Sequence, residues 1–453
     1  MKSYTHLEKA VERLYSFVDN EKLAGPPVYA TTELDIERFR SVLEERGNRQ
    51  REFESVLIAG SKGKGSTAAM LDSILRARGL RVGLFTSPHL IDIRERIRID
   101  GRCVDGEIFA KKIDELTSIA LKNNAQRSFR TVFEILTGAA VEIFAESGVD
   151  IAIFEAGMGG RLDAVNAIEP SLSIITTIGI DHTHALGDTV AEIASEKAGI
   201  LRSGVTAVIG RQIDSARRSI NAHAAKIGAG PLSKIDEDWQ IANIRINREK
   251  TSFDLSGPDV SYEDLRLSLI GRFQAENAAC AVAAAHILGT NEIDVREGLS
   301  NTVWPARMQI FPANNIPKSR FTNDIIVDGA HSPMAFERIV ETLAELWKEA
   351  KPVWVFAANR DKDIPSIFRI IEKHASGIVL TTFDFPRAAS ISELASIVQS
   401  TGFPVIQKPN IRGALASAQS IAESNAPIVV AGSLYLAGEA LRELGFHPWE
   451  SEN

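Results

Sequence analysis

Apolar residues recur along this chain in two rhythms. Near the start, Leu7, Ala10, Val11, Leu14, Tyr15 and Val18 fall at helical spacing, with Glu8, Lys9, Glu12 and Arg13 between them. That predicts an amphipathic helix. SVLIAG (Ser55–Gly60) is a short unbroken apolar run and predicts a buried strand. STAAMLDSILRARG then carries Ala69, Leu71, Ile74 and Leu75 on one side, which predicts a helix, and Gly79 is a natural stop. RVGLFTS (Arg81–Ser87) predicts the next strand. Strand, glycine-rich loop, helix, strand is a βαβ unit. Further on, VDIAIFE predicts a strand ending at Glu155. Another strand is predicted over Leu172–Ile178, and a helix from about Thr189. The segment 211–270 alternates apolar and polar residues around a Gly257-Pro258 turn, which predicts a small β-rich excursion.

Trp304-Pro305 marks a hinge, because the residue before a proline is biased out of the helical region. Strands are predicted beyond it at Ile325–Asp328, Val353–Ala357, Ile378–Thr382 and Ile428–Ala431. Helices are predicted between and around them, at about Met334–Lys348, Pro365–His374, Ile391–Gln399 and Ile411–Ser424. Such alternation argues for a mostly parallel sheet. The length of 453 residues exceeds one ordinary core, so more than one domain is expected. The pattern divides the chain into an α/β unit over 1–303, containing the excursion, and a second α/β unit over 304–453.

Composition narrows the class. The chain is 44% hydrophobic and 24% charged, ordinary for a soluble globular protein. Its net charge of -8 argues against general nucleic-acid binding but leaves room for local basic pockets. The two cysteines, Cys103 and Cys280, stand far apart without metal-site spacing and read as reduced thiols. No uncharged apolar run reaches about 18 residues, so no membrane span is expected. The charged N-terminal helix does not read as a signal peptide. A cytoplasmic protein without nucleic-acid or membrane partners is the expectation.

The candidate chemistry begins in IAGSKGKGST (Ile58–Thr67). Gly60, Ser61, Lys62, Gly63, Lys64, Gly65 and Ser66 lie between a predicted strand and helix, where N–H groups and the helix N-terminus face an anion together. The stretch misses the Walker A spacing, because Gly65 follows Gly63-Lys64 where Ser or Thr is usual. Lys64 can still neutralise β/γ-phosphates, but Gly65 cannot bind Mg²⁺. Ser87 and Glu155, each at a strand end, are the oxygens that could. A glycine-rich turn, a capping hydroxyl and a solvated acid would look the same one at a time. Asp181, His182 and His184 stand in a loop after Leu172–Ile178, and Glu196 and Lys197 on the helix beyond. His182 could ligate a metal. Zinc is disfavoured, since no further soft ligands have suitable spacing.

Together these stretches resemble the folylpolyglutamate synthase/dihydrofolate synthase family of the Mur ligase superfamily. AGSKGKGST, TSPHLIDIRERIRIDG, EAGMGGRLDAVN, TTIGIDHTHALGDTVAEIASEKAGI, GRFQAENAACAVAA, VDGAHSP and GSLYLAGEAL carry the resemblance in the family's order. It implies a Mur-ligase-like α/β fold, with a P-loop-type ATP-binding domain and a C-terminal Rossmann-like domain. It implies ATP-dependent formation of an amide between a folate-type carboxylate and L-glutamate through an acyl phosphate. By motif, Lys64 meets the β/γ-phosphates, Asn277 the adenine side, and Arg307 and Asp328 the nucleotide. Ser87 and Glu155 hold one Mg²⁺, while His182 and a carbamylated Lys197 serve a second. His331 faces the incoming glutamate with Asp328, and Thr131, Phe133, Arg96 and Ser433 lie on the substrate side.

The chain departs from the family pattern at Ala306, where Gly is frequent, at Ser332, where Asn is usual, and over much of 19–47. Family members are often monomers. Dihydropteroate, tetrahydrofolate, both, or a non-folate acid remain open as acceptors.

Overall fold

The computed structural model describes residues 5–19, 21, 36–122, 129–313, 321–348, 350–398, 402–446 and 449. Most of the early segment that departs from the family pattern, 20 and 22–35, lies outside them. Three sheets organise the chain. The largest contains β1 (Glu54–Ala59), β2 (Val82–Phe85), β3 (Ile97–Ile99), β4 (Arg102–Cys103), β5 (Ile151–Glu155), β6 (Leu172–Ile175), β7 (Ala207–Ile209) and β8 (Leu232–Lys234). Its spatial order is β4-β3-β2-β5-β1-β6-β7-β8. It is parallel from β2 to β8, with β3 and β4 added antiparallel at one edge.

Helices cover both faces of this sheet, which is why its strands read as continuous apolar runs. Along β5, Ala152 and Phe154 enter one core with Leu57, Phe85 and Phe144. Ile151 and Ile153 enter the other with Val56, Ile58, Met70 and Ile74. Phe154 stands 5.8–6.4 Å from the rings of Phe53, Phe85 and Phe144. Each such aromatic, fully buried, contributes about 1.5–3 kcal/mol.

A small antiparallel sheet, β9 (Gln240–Ile246), β10 (Thr251–Ser256) and β11 (Ser261–Leu267), packs Phe253, Leu255, Tyr262 and Leu265 into that second core. It is narrower than the alternation over 211–270 suggested: 214–227 is a helix, and β8 belongs to the large sheet. The third sheet holds β12 (Gln309–Phe311), β13 (Ile325–Val327), β14 (Val353–Phe356), β15 (Gly377–Leu380), β16 (Val405–Gln407) and β17 (Ile428–Ala431). Its order is β12-β13-β17-β14-β15-β16, parallel except for β12. Neither β12 nor β16 stood out in the sequence, being three-residue edge strands.

Two elements stop sooner than their apolar pattern, each for a reason found in a neighbour. The first helix ends at Leu14. Val18 instead turns its carbonyl to the N–H of Val132 (2.9 Å), an orphan donor at the start of the helix Val132–Glu146. β6 ends at Ile175 rather than Ile178 because Thr177 leaves the ladder. Its carbonyl accepts from the N–H groups of Ser61 (3.0 Å) and Lys62 (3.1 Å). The loop that follows contains a short helix, Thr183–Leu186.

The helix Glu292–Ser300 lies directly against the helix Lys64–Ala77 that carries the glycine-rich loop. A Cβ at Gly298 would overlap the Ile74 backbone. Gly298→Ala is therefore expected to cost about 1–3 kcal/mol through overpacking, read as a lower Tm. An unchanged melting curve would contradict so close an approach.

Candidate active site

The stretch Gly60–Gly65 is a tight loop between β1 and its helix. Gly63 caps the helix at φ +86, and a Cβ there would overlap Asn277 Oδ1. Gly60, at φ +154, is crowded in the same way by Thr176 Oγ1. Gly65 lies under the Trp304 indole, where a Cβ would come within 2.8 Å of the ring. This explains the misfit to Walker A: an aromatic ring occupies the space of the usual hydroxyl. The Arg98 guanidinium sits 4.5 Å from the Trp304 ring and 4.4 Å from that of Trp449, a cation–π stack behind the loop.

Neighbouring strand ends supply charge. Glu155, the last residue of β5, is buried and accepts the N–H of Ser87 at 3.2 Å. Lys64 Nζ is 3.9 Å from its other oxygen. Burial raises the Glu155 pKa, and the Lys64 charge opposes the rise. Lys62 donates to Asp181 at 3.0 Å. Burial works to raise the Asp181 carboxyl, but Lys62 and the two histidines His182 and His331 together hold it far below the usual range.

His182 adopts φ +51 at the start of its short helix, with Nε2 3.8 Å from Asp181. Burial lowers its pKa to about 4 against the pull of Asp181, so its imidazole is neutral at pH 7. The side chain of His184 lies outside what is described.

Lys197 sits behind the loop, 3% exposed, and donates to the Gly60 carbonyl at 2.8 Å. Burial, reinforced by the Lys64 charge, pushes its pKa down to about 7. The chain packs tightly there, since a Cβ at Gly160 would approach the carbonyls of Lys197 (2.8 Å) and Glu196 (2.9 Å).

The third sheet provides the opposite wall. The hinge is strained, with Ala306 at φ +56 and Met308 at φ +47. The left-handed angle at Ala306 is one that glycine adopts at no steric cost. Asp328 holds this bend to the loop after β13: its oxygens accept from Met308 N and Ala330 N, both at 2.7 Å. Burial raises its pKa, against the nearby Arg307. The His331 ring contacts the Gly329 carbonyl at 3.2 Å, and burial with the charges of Lys62 and Lys362 lowers its pKa to about 3.

A cavity of about 350 Å³ opens between the walls. Ser61, Lys62, Gly63, Lys64, Gly65, Ser66, Ser87, Glu155, His182, Asn277, Arg307, Asp328, His331 and Ser433 all line it. Gly60 and Lys197 lie just behind.

Three expected substrate contacts sit differently. Thr131 is buried, and its hydroxyl caps a helix by accepting from Glu134 N (3.1 Å). The Thr-x-x-Glu spacing signals that cap. Phe133 packs 5.5 Å from Phe85 and behind Gly157, which itself lines the cavity. The buried Arg96 donates both arms of its fork to Glu21, at 2.9 and 2.6 Å, so Glu21 rather than Arg96 meets the cavity. Asp328 and Ser433 line the cleft, but their side chains already accept from backbone N–H groups.

Sequence reasoning missed Asn359, Lys362 and Arg387, all on the cavity wall. It also missed Asp163, whose carboxylate accepts from Met158 N (2.9 Å) and Val165 N (3.0 Å) and shapes the loop after β5. Burial raises its pKa to about 6. Among the described residues no group of three or more His, Cys, Asp or Glu side chains could cage a metal by itself, and no helix is long and apolar enough to cross a membrane.

Comparison with known proteins gives a consistent result. A family model for the Mur ligase middle domain matches residues 58–285, and one for the dihydrofolate synthetase C-terminal domain matches 313–443. The chain is 31% identical over 415 residues to the dihydrofolate synthase/folylpolyglutamate synthase of Bacillus subtilis, covering 90% of this chain and 94% of that one. It is 31% identical over 440 residues to a probable dihydrofolate synthetase of Schizosaccharomyces pombe, covering 91% and 98%. The solved structure of Mycobacterium tuberculosis folylpolyglutamate synthase complexed with ADP matches with a TM-score of 0.86 at 29% identity, over 98% of this chain and 99% of that one.

The packing of Trp304 on Gly65 has a testable consequence. Gly65→Ser moves the loop toward a regular Walker A motif, yet should weaken ADP binding about tenfold or more by displacing the indole. Adding Trp304→Ala should restore part of the loss. Unchanged ADP affinity in Gly65→Ser, read by calorimetry, would sink this account.

Proposed function

The chain belongs to the dihydrofolate synthase/folylpolyglutamate synthase family of Mur ligases, and we propose that the cleft between its two large sheets is where that chemistry runs. The protein is an ATP-dependent, ADP-forming ligase that joins L-glutamate to a folate-type carboxylate. One observation carries the assignment of its residues. Lys64, Ser87, Glu155 and His182 face Arg307, Asp328 and His331 across a single cavity.

A carboxylate resists an amine because its leaving group would be oxide. Transfer of the γ-phosphoryl group to a carboxylate oxygen releases ADP and leaves an acyl phosphate. The glutamate amine then adds to the acyl carbon, phosphate departs with the C–O electron pair, and the amine loses a proton. Each step gathers negative charge on oxygens, so preorganised positive groups are the main requirement. Lys64 and the N–H groups of the Gly60–Gly65 loop hold the β- and γ-phosphates. Arg307 reaches them from the other wall, and Asn277 contacts the adenine side. Asp328 acts chiefly by holding the hinge that presents Arg307. The pterin side lies by Gly157, with Phe133 behind it.

The residues fit two Mg²⁺ ions held partly by nucleotide phosphates. Glu155 is a buried acid whose nearest cation is 3.9 Å away, and Ser87 stands beside it, a hard-oxygen set of the kind Mg²⁺ takes. His182, kept neutral, is available as a ligand for the second ion. When bound, the ions neutralise charge on the transferring phosphoryl group.

Lys197 suits carbamylation because its depressed pKa leaves much of the amine unprotonated near neutral pH. The neutral nitrogen adds to the carbon of CO₂, a C=O pair moves to oxygen, and a proton leaves. The resulting anion would be an oxygen donor to the second ion. Residues 1–303 and 304–453 act as the two domains of a monomer, since one chain supplies both walls. ATP as co-substrate supports a cytoplasmic setting.

The direct test is glutamate-dependent ADP release with dihydropteroate and tetrahydrofolate as separate acceptors. Release with either is expected and identifies the dominant activity. Release with neither, from protein that binds Mg-ATP, would overturn the folate assignment.

A second expectation concerns pH. Protonation of Lys197 below about pH 7 removes the form that takes up CO₂. Activity should therefore fall as pH drops through that value and recover in part with added bicarbonate. Lys197→Ala should lose about 100-fold or more in kcat, with partial rescue by short carboxylic acids. A bicarbonate-insensitive wild type together with a fully active Lys197→Ala would rule out the carbamate.

A further inference from the structure

The segment that follows β6 is held from two sides. On one side stands the phosphate loop. The Thr177 carbonyl accepts from Ser61 N (3.0 Å) and Lys62 N (3.1 Å), Ser61 Oγ donates to the Gly179 carbonyl at 2.9 Å, and Lys62 Nζ donates to Asp181 at 3.0 Å. His182 comes next. On the other side stands the side chain of Gln212, which has no part in the chemistry described so far.

β7 ends at Ile209, and Gly210 N donates to the Ile175 carbonyl at 2.8 Å. Past that bond the Gln212 side chain takes over from the strand. Its Nε2 donates to the Thr176 carbonyl at 2.9 Å, and its Oε1 accepts from Ile178 N at 3.1 Å. These partners fix the orientation of the amide, since an N–H only donates and a carbonyl only accepts. Gln212 is buried, so neither backbone group has water as a substitute partner. Its own carbonyl accepts from Arg217 Nη2 at 3.3 Å, on the helix Asp214–Ile227.

The amide accounts for a break in the ladder. Thr176 N still donates to the Ala59 carbonyl at the end of β1, at 2.8 Å, while the carbonyl of the same residue turns to Gln212. With Thr176 O and Ile178 N both taken, the Thr177 carbonyl between them serves Ser61 and Lys62. Without the amide, two buried backbone groups lose their partners, a penalty relieved only if the segment shifts. Such a shift displaces Thr177 O, Gly179 O and Asp181 together, and the loop tied to them moves as well.

Resting on the reading of Gly60–Gly65 as the nucleotide phosphate site, we propose that Gln212 is a positioning residue for the phosphate loop and for His182. It is not among the residues that line the cleft. It acts through the backbone of Thr176–Ile178, and a misplacement of about 1 Å at a reacting site costs about 100-fold in rate.

The experiment titrates Mg-ADP into the full chain by calorimetry. Gln212→Met keeps the length of the side chain and removes both hydrogen bonds. It is expected to raise the Mg-ADP Kd about tenfold or more. It should also lower kcat while the glutamate KM stays within about twofold of wild type. Asn323→Leu is the control. Asn323 is a buried amide whose Nδ2 donates to the carbonyls of Glu423 (2.7 Å) and Ala426 (2.8 Å), at the end of the third sheet away from the cleft. Its loss should lower Tm and leave the Kd unchanged. A Gln212→Met protein that behaves like this control, with a lower Tm and a wild-type Kd, overturns the inference.

Gln212→Asn is a gentler variant, polar but one methylene too short to span both partners. It should raise the Kd less and speed hydrogen exchange at the N–H groups of Ser61 and Lys62. Wild-type Kd and wild-type exchange at both positions overturn the inference even where Gln212→Met fails to fold. Mg-ADP binding needs no acceptor acid. A wild type that binds Mg-ADP but releases none with any folate overturns the ligase reading, while the Kd comparison still decides the role of Gln212.

Discussion

The phosphate loop keeps its shape because three neighbours leave it no room for side chains. Thr176 crowds Gly60, Asn277 crowds Gly63, and the Trp304 indole covers Gly65. Each neighbour comes from a different part of the chain: the end of β6, the helix Arg272–Ile287, and the hinge. The loop is therefore shaped by tertiary contacts rather than by its own side chains. The same neighbours do a second job. Thr177, beside Thr176, anchors Ser61 and Lys62 by its carbonyl, and Gly60 accepts from Lys197. A change at any of these positions reaches the cavity wall through the backbone.

This constraint accounts for the distribution of charge. The chain is acidic overall, yet Lys62, Lys64, Arg307, Lys362 and Arg387 converge on one cleft. Most of them keep a carboxylate nearby: Asp181 for Lys62, Glu155 for Lys64, and Asp361 for both Lys362 and Arg387. The pairs between Arg96 and Glu21 and between Arg38 and Glu134 instead tie peripheral segments to the frame. Burial then acts on the groups left in the cleft. It holds His182 and His331 neutral and drives Lys197 toward its uncharged form. The cleft thus presents a neutral imidazole from each wall and a weakly charged amine beside a cluster of cations.

The frame was largely legible in the sequence. Strands buried on both faces appear as apolar runs, and β1, β2, β5 and β17 fall where such runs stand. The motifs also brought Lys64, Ser87, Glu155, His182, Arg307 and His331 to one cavity. What escaped depends on long-range packing. Gly65 looks like a defect in a phosphate motif until Trp304 is seen above it. Asn359, Lys362 and Arg387 lie in charged loops that read as solvated surface, and only the pairing of two strand ends turns them inward. Thr131 shows the reverse case. Family likeness drew attention to a substrate role, while the Thr-x-x-Glu spacing signalled the helix cap that the fold uses.

The two walls are coupled through the segment after β2. A Cβ at Gly438, on the last helix of the second α/β unit, would overlap the Leu90 carbonyl, and Arg442 donates to Ile91 O at 2.6 Å. Leu90 and Ile91 lie three and four residues after Ser87, so the segment leading from the residue beside Glu155 is steadied from the opposite side of the cleft. Arg98, further along the same segment, stacks between the hinge Trp304 and Trp449 near the C-terminus. The second unit thus touches the first near the strand end that carries Ser87 and behind the glycine-rich loop. The hinge carries two residues in the left-handed region, restrained by Asp328. A strained connection held by one buried carboxylate stores a preference for this arrangement, and it aligns Arg307 with Lys64 before any ligand arrives. Asp328 is therefore best understood as the residue that makes the two halves one site.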